Sequence, residues 1–263
     1  MKHIFVETSE SERMAEIVFE HVTKEFNGQM VLDDVSFRIE KGEFVFIIGK
    51  SGAGKSTLLN LITRQLVPTE GIVSVFGTPL GTMKDKELPY YRRRIGVMSQ
   101  EVGMLESMTV YENIALALQA VERAGRGMKR RILETLGLVG IAEKIDAYPR
   151  ELSGGEQARM LLARAMAVNP DILIADEPTA NLDPDTAWDM MLLFSEIHRS
   201  GKTLIISSHA RELVTVMRKR VITLVAGAVV DDEKNAVYNQ KAVDIFEERR
   251  VLEERNKKLL KKS

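Results

Sequence analysis

The stretch "FVFIIGKSGAGKST", residues 44–57, decides the fold because it joins a strand signal directly to a phosphate-binding loop. Its five leading apolar residues predict a buried strand of a parallel sheet. Gly49, Gly54, Lys55 and Ser56 then fit the spacing G-x-x-x-x-G-K-[ST]. Glycines let backbone N–H groups converge on phosphate oxygens, and the following helix adds its positive N-terminal end. The stretch therefore predicts a nucleotide site.

Each polar side chain of this loop has an expected role. Lys55 is expected to reach the β- and γ-phosphates, and the Ser56 hydroxyl is expected to ligate Mg²⁺. The hydroxyl pair Ser56–Thr57 also begins the predicted helix. We predict that the nucleotide contacts the following loop residues: Gly49, Ser51, Gly52, Ala53, Gly54, Lys55, Ser56 and Thr57.

A second acidic motif, "DILIADEP" at residues 171–178, follows a later apolar run. Carboxylates at the carboxyl ends of parallel strands lie in the crevice where ligands bind. Asp176 is expected to hold Mg²⁺ directly or through water, and Glu177 to act as general base on the attacking water. A helix cap or a solvated turn before Pro178 is the plainer alternative. The phosphate loop in the same chain favours the catalytic interpretation.

Composition excludes several other classes of protein. The chain has 263 residues, a formal net charge of −1 and no cysteine. The near-neutral charge provides no field that would attract nucleic acid, and the lack of cysteine excludes disulfides and thiolate metal sites. The longest apolar candidate, "VITLVAGAVV", has ten residues, well below the roughly 18 of a membrane span. We expect a soluble chain that reaches a membrane only through another protein.

The order of strand and helix signals predicts an α/β fold. "EIVFEHVTKEF" and "VLDDVSFRIEKGE" alternate apolar and polar residues, as strands of an antiparallel sheet do. "EFVFIIG", "DILIAD" and "KTLIISSH" read as buried strands followed by helices, which predicts a parallel sheet. The predicted organisation has three parts: a mobile lead-in at 1–14, one domain at 15–234 with a helical subdomain at about 84–168, and a charged helical tail at 235–263.

The motif "LSGGEQ" at 152–157 identifies the family. Together with the phosphate loop and "ILIADEP", it resembles the signature of the ATP-binding-cassette (ABC) ATPases, over about residues 15–230. The resemblance implies a P-loop ABC fold with a RecA-like parallel-sheet core, an antiparallel β edge subdomain and an inserted helical subdomain. It also implies ATP and Mg²⁺ as cofactors, and hydrolysis of ATP to ADP and phosphate.

The signature residues have a physical interpretation of their own. Ser153, Gly154 and Gly155 precede a predicted helix, so their N–H groups and the serine hydroxyl form a potential anion site. A simple helix cap is the plainer alternative. The family resemblance implies a head-to-tail homodimer, in which each ATP lies between the Lys55 loop of one chain and the Ser153 loop of the other.

Four further positions match the family pattern. Gln100, which ends "IGVMSQ", resembles the glutamine that contacts Mg²⁺ and water. His209, which ends "LIISSH", resembles the switch histidine at the γ-phosphate. Asp183 in "ANLD" resembles the D-loop residue at the dimer interface. Phe26 in "VTKEF" stands where an aromatic ring stacks on adenine, with packing at a strand end as the plainer alternative.

Residues 86–118, with the sequence "KELPYYRRRIGVMSQEVGMLESMTVYENIALAL", look most like the FtsE family of bacterial cell-division ATPases. This resemblance implies a membrane partner like FtsX, activation of cell-wall hydrolases, and a place on the cytoplasmic face of the plasma (inner) membrane. An ATPase of a lipoprotein- or macrolide-type exporter is the alternative, followed by an importer ATPase. A nucleotide-gated regulatory module that hardly turns over is a further alternative, and the presence of both Glu177 and His209 argues against it.

The charged segments outside these motifs are less specific. Basic triplets occur at 92–94 and 129–131, and both are expected to be solvated helix faces unless they meet phosphate headgroups or an acidic partner. The tail is expected to be a solvated helix, with packing along the partner or the membrane as its alternative.

Overall fold

The structure is a computed structural model that describes residues 15–99, 103–121, 125, 127–234, 248 and 250–255. The predicted lead-in at 1–14 and the predicted site residue Gln100 lie outside the described residues, as does most of the predicted tail. The strands are β1 (Ala15–Phe26), β2 (Gln29–Glu40), β3 (Phe44–Ile48), β4 (Glu70–Val75), β5 (Thr78–Pro79), β6 (Ile95–Met98), β7 (Ile172–Asp176), β8 (Thr203–Ser208), β9 (Arg220–Val225) and β10 (Ala228–Glu233). The helices are α1 (Lys55–Ile62), α2 (Leu88–Arg92), α3 (Val110–Ala120), α4 (Met128–Val139), α5 (Gly154–Ala167), α6 (Pro184–Arg199) and α7 (Arg211–Met217).

A six-stranded sheet with the order β10-β9-β3-β8-β7-β6 forms the centre of the fold. All neighbouring pairs from β9 to β6 are parallel, and β10 pairs antiparallel with β9. All five residues of β3 are buried, because alternate side chains enter two different cores. Phe44, Phe46 and Ile48 pack with the helices α3–α6, and Val45 and Ile47 face the second sheet. The parallel core predicted from this run is confirmed.

The second sheet is antiparallel, with the order β2-β1-β4-β5. Its inward residues share a core with α1 and the central sheet, and the rings of Phe19 and Phe37 stack with centroids 4.5 Å apart. The alternation of buried and exposed residues along β2 follows the sequence pattern. This sheet is the predicted antiparallel edge subdomain, and its strand β2 lies beside the end of the phosphate loop.

The helical part consists mainly of α3, α4 and α5, which pack against one another. Helix α3 begins with a capping box, in which the Thr109 N–H donates to a Glu112 carboxylate oxygen at 2.8 Å. Strand β6 falls inside the range 84–168, where helix was expected to predominate, and it pairs with β7 in the central sheet. Three of its four residues are apolar, which is sufficient for an edge strand, and the strand splits the predicted helical stretch in two.

The first basic triplet is engaged within the chain. The Arg94 guanidinium lies 3.5 Å from the centroid of Phe76 and pairs with Asp171 at 2.6 Å. The Arg93 guanidinium lies over the Tyr90 ring at 4.6 Å. Stacking and pairing of this kind favour a structural role for these arginines over headgroup binding. Among the helices of the described residues, none is long and apolar enough to cross a membrane.

Candidate functional site

The phosphate loop connects the end of β3 to the start of α1, at the carboxyl edge of the central sheet. Gly54 adopts a φ of 103° and is the N-cap of α1. A Cβ at Gly54 would lie 2.7 Å from the Leu32 side chain and 3.0 Å from the Val31 carbonyl. Only glycine combines this left-handed backbone with so close an approach. The end of the loop is thereby held against β2.

Lys55 lies at the centre of the loop and is only 8% exposed. Its ammonium donates to the Gly49 carbonyl at 2.9 Å and to the Lys50 carbonyl at 3.2 Å. It also lies 3.5 Å from a carboxylate oxygen of Glu177. A buried ammonium with three acidic or carbonyl oxygens around it is preorganised to receive phosphate oxygens in the same crevice.

Ser56 and Asp176 meet across the crevice, as the sequence predicts. The Ser56 hydroxyl donates to one carboxylate oxygen of Asp176 at 2.7 Å. The other Asp176 oxygen accepts from the hydroxyl of Ser207, on β8. These are hard oxygen donors of the type that Mg²⁺ prefers. The donor set fits the predicted Mg²⁺ site, and the roles of Ser56 and Asp176 as its ligands stay predictions.

Glu177 follows β7 directly and has a φ of 50°, a left-handed conformation that residues other than glycine seldom adopt. Its N–H donates to the backbone oxygen of Ser207 at 3.2 Å and to the side-chain oxygen of Ser207 at 2.9 Å. Its carboxylate is joined to His209 Nδ1 at 2.8 Å. The turn therefore directs this carboxylate into the crevice, between Lys55 and His209.

These groups line one cavity of about 690 Å³, a size typical of small-molecule and cofactor sites. The cavity joins the phosphate loop to the ends of β7 and β8, which are the positions predicted from the strand order. The lining residues are Val31, Lys50, Ser51, Gly52, Gly54, Lys55, Ser56, Thr57, Ser99, Asp176, Glu177 and His209.

The signature residues are at the start of α5 and do not line this cavity. Ser153 is the N-cap, and its N–H donates to a Glu156 carboxylate oxygen at 2.8 Å. That hydrogen bond and the Lys144 ammonium, 3.0 Å from Glu156, lower the pKa of this carboxyl. Within one chain Ser153 therefore acts as a helix cap, which was the plainer alternative from the sequence. The exposed Gly154, in the first turn of α5, leaves its N–H group at the surface.

Four other predicted residues do not line the cavity: Gly49, Ala53, Asp183 and Phe26. Asp183 is the exposed N-cap of α6, and hydrogen bonds from the Thr186 hydroxyl and from the Thr186 N–H, at 3.0 Å, lower the pKa of Asp183. Phe26 ends β1, is 39% exposed, and has the Lys24 ammonium 4.8 Å from its ring centroid. The predicted roles of Asp183 at the dimer interface and of Phe26 at adenine stay predictions.

Four residues of the site were not predicted from the sequence. Ser207 contacts both carboxylate residues, and Val31, Lys50 and Ser99 line the cavity. The sequence did contain a signal for Ser207. A serine in a buried strand, two residues before His209, indicates a hydrogen-bonding role. The pairing of Asp176 with Ser207 across β7 and β8 explains its position.

Comparison with known proteins assigns this geometry to a family. A sequence model of the ABC transporter family (ABC_tran) matches residues 32–180. The chain belongs to this family. As an ABC ATPase it binds ATP, and the family supports ATP hydrolysis as its general activity. The predictions of the family and of its nucleotide are thereby confirmed.

Relatives of this ABC protein include FtsE proteins and importer subunits. It is 44% identical over 212 residues to the cell division ATP-binding protein FtsE of Bacillus subtilis (strain 168), which covers 81% of this chain and 93% of that protein. The FtsE protein of Escherichia coli (strain K12) is 39% identical over 212 residues, covering 80% and 96%. The methionine import ATP-binding protein MetN of Carboxydothermus hydrogenoformans is 42% identical over 202 residues, covering 76% and 60%. The resemblance to the FtsE family is confirmed.

Solved structures of ABC cassettes share the fold. The dimeric structure of MJ0796, a bacterial ABC transporter cassette, superposes with a TM-score of 0.77 at 35% identity, covering 84% of this chain and 100% of that chain. A dimeric post-hydrolysis state of MJ0796 bound to ADP and Pi has a TM-score of 0.76 at 34% identity. The predicted P-loop ABC fold is confirmed.

Replacing Ser207 by alanine is expected to lower the rate of ATP hydrolysis about tenfold while leaving the fold intact. The substitution removes the hydroxyl that Asp176 and the Glu177 N–H share, so both carboxylates lose orientation. Steady-state phosphate release measures the effect. Ser74→Ala, a serine substitution in β4 of the other sheet, is the control. Equal activity of the two variants would show that Ser207 does not orient the acidic pair.

Proposed function

We propose that this ABC protein is the ATP-hydrolysing subunit of a bacterial cell-division complex and drives an FtsX-like membrane partner. The observation that carries the proposal is the 44% identity to FtsE, which extends over 93% of that relative. The match to MetN extends over only 60% of the importer subunit. In this proposal the partner transmits the ATP cycle to cell-wall hydrolases outside the membrane, and the chain is held on its cytoplasmic face.

The proposed chemistry begins with nucleotide binding at the phosphate loop. Lys55 neutralises charge on the β- and γ-phosphates, and Ser56 with Asp176 would hold Mg²⁺. When bound, the metal ion supplies further neutralisation of the phosphate charge. Gln100 is proposed as an additional contact to the metal ion and the attacking water. Catalysis of phosphoryl transfer is chiefly positioning and electrostatic stabilisation, which is what the buried, prearranged Lys55 provides.

Glu177 is proposed to accept the proton of the attacking water. Its carboxylate is in reach of both the phosphate-binding lysine and His209, so a water between them would lie beside the γ-phosphate. His209 is proposed to contact that phosphate and to hold the orientation of Glu177. The left-handed backbone at Glu177 supports this role, because strain of this kind concentrates at functional sites.

The complete site is proposed to form between two chains on ATP binding. The signature residues at the start of α5 do not line the Lys55 cavity of their own chain, and MJ0796 cassettes of the same fold are dimeric. Ser153, Gly154 and Gly155 would then supply N–H and hydroxyl groups to the ATP of the partner chain. Asp183 would lie at the same interface, and Phe26 would stack on adenine.

A transporter ATPase is the second candidate, because MetN is 42% identical over 202 residues. The test uses tagged Glu177→Gln chain expressed in its own host and incubated with ATP. Membranes are then solubilised, and co-purifying proteins are identified by mass spectrometry. The matched control is the tagged Lys55→Ala chain. This variant lacks the phosphate-binding ammonium, and its exposed surface is almost unchanged because Lys55 is buried.

The identity of the captured protein decides between the two candidates. A four-helix membrane protein with a large outer domain between its first two spans, enriched over the Lys55→Ala control, is the expected result. A many-spanning permease would assign the chain to transport. Recovery of no membrane protein would contradict both candidates.

A further inference from the structure

A short helical segment near the end of the chain contacts the phosphate loop. Glu248 and residues 250–255 are helical, and we call them the tail helix. Val251 is 8% exposed, so its side chain is docked into the folded domain. Glu248 lines a narrow cleft together with residues 50–53 of the phosphate loop. This contact is unexpected from the sequence, which predicted a solvated tail.

An ion pair joins the tail helix to the loop. The carboxylate of Glu248 lies 2.7 Å from the Lys50 ammonium. Lys50 also lines the nucleotide cavity, and its carbonyl accepts from the Ala53 N–H at 3.1 Å and from the Lys55 ammonium at 3.2 Å. The position of Lys50 therefore determines where one oxygen ligand of the phosphate-binding lysine lies.

Arg255 anchors the other end of the tail helix. Its guanidinium donates to the Met30 carbonyl at 3.2 Å and to the Ala226 carbonyl, and lies 3.4 Å from the Asp33 carboxylate. The adjacent Gly227 N–H donates to the Ala53 carbonyl at 3.1 Å. Arg255 thus connects β2 and the β9–β10 turn, both of which border the phosphate loop, and the side chain is almost buried.

We propose that the tail helix positions the phosphate loop for nucleotide binding, and that Glu248 is a positioning residue that acts through Lys50. One end of the tail helix pairs with Lys50 in the loop itself, and the other end holds the β9–β10 turn beside the loop. The inference rests on nucleotide binding by this chain and is independent of the proposed membrane partner.

Electrostatic repulsion and positioning predict opposite changes in nucleotide affinity when the Glu248 carboxylate is removed. A carboxylate near a site for phosphates repels them, so its removal alone would tighten nucleotide binding. If the carboxylate instead restrains Lys50, its removal releases the loop and weakens binding. Both side chains of the pair are more than a third exposed, so the expected change is about two- to fivefold in Kd.

The test is titration calorimetry of the full chain with MgADP, which avoids turnover. Glu248→Ala is expected to raise the Kd about two- to fivefold. Glu254→Ala, which removes an exposed carboxylate from the same helix, is the control and is expected to leave the Kd unchanged. In the Lys50→Ala background, Glu248→Ala is expected to have no further effect, because the residue through which it acts is gone.

Four results would overturn the proposal. The first is a Kd for Glu248→Ala that equals the control, and the second is tighter binding than wild type. The third is an effect of Glu248→Ala that persists in the Lys50→Ala background. Arg255→Ala provides a second variant, expected to raise the Kd at least as much as Glu248→Ala; an unchanged Kd would also contradict the proposal. A wild-type chain that fails to bind MgADP would instead contradict the nucleotide site itself.

Discussion

Replacing Glu177 by glutamine is expected to lower the rate of ATP hydrolysis by about two to four orders of magnitude. Glutamine has the same shape, and its backbone N–H still donates to Ser207, but its side-chain amide cannot accept a proton from water. The loop contacts of Lys55 to Gly49 and Lys50 remain, so ATP binding is retained. We therefore expect the variant to accumulate as an ATP-bound dimer.

Phosphate release and light scattering with ATP measure the two parts of this prediction. Glu196→Gln, at an exposed position of α6, removes a carboxylate of the same type away from the site and is the control. Hydrolysis at the control rate would contradict the role of Glu177 as general base. A monomer with bound ATP would contradict the dimer mechanism while leaving the assignment of the base intact.

Replacing Lys55 by alanine is expected to weaken ATP binding about a hundredfold or more. The ammonium is buried, and loss of one member of a desolvated, hydrogen-bonded charge contact costs roughly 2–5 kcal/mol. Phosphates would then enter a crevice bordered by Glu177 and Asp176 with no buried cation to offset the repulsion. Hydrolysis at a fixed ATP concentration is expected to fall accordingly.

Calorimetry with MgADP and with a non-hydrolysable ATP analogue measures the loss. Lys86→Ala, which removes an exposed lysine, gives the effect of one lost surface charge and is expected to bind like wild type. An affinity of Lys55→Ala within a few-fold of wild type would show that the loop N–H groups alone hold the phosphates.

Much of the fold was predictable because the apolar runs that predict the central strands end at the residues that predict the site. Apolar runs that end in glycine, carboxylate or histidine placed Lys55, Asp176 and His209 at one edge of a parallel sheet, where the structure has them. Residues whose role depends on neighbours distant in sequence were not predicted. Ser207 reaches Asp176 only because β8 pairs with β7. Glu248 contacts Lys50, which is 198 residues away in the sequence.

Other predictions depend on more than one chain. Asp183 and Ser153 act as helix caps within a single chain, and the same residues are predicted to serve a neighbouring ATP. A motif read from one sequence cannot separate a cap from an intermolecular ligand, since both use the same oxygen or N–H group at a helix start. Gln100 falls outside the described residues, and its predicted role stays a prediction.

The pairing of Asp176 with Ser207 limits where insertions and deletions can occur in the coding sequence. Successive strand residues face opposite sides of the sheet, so one codon inserted within β8 would exchange the faces of Leu204 and Ile205 and remove Ser207 from the acidic pair. The exposed connection at 81–87 carries no comparable constraint. Insertions and deletions among descendants of this sequence are therefore expected in such connections and not in β7 or β8.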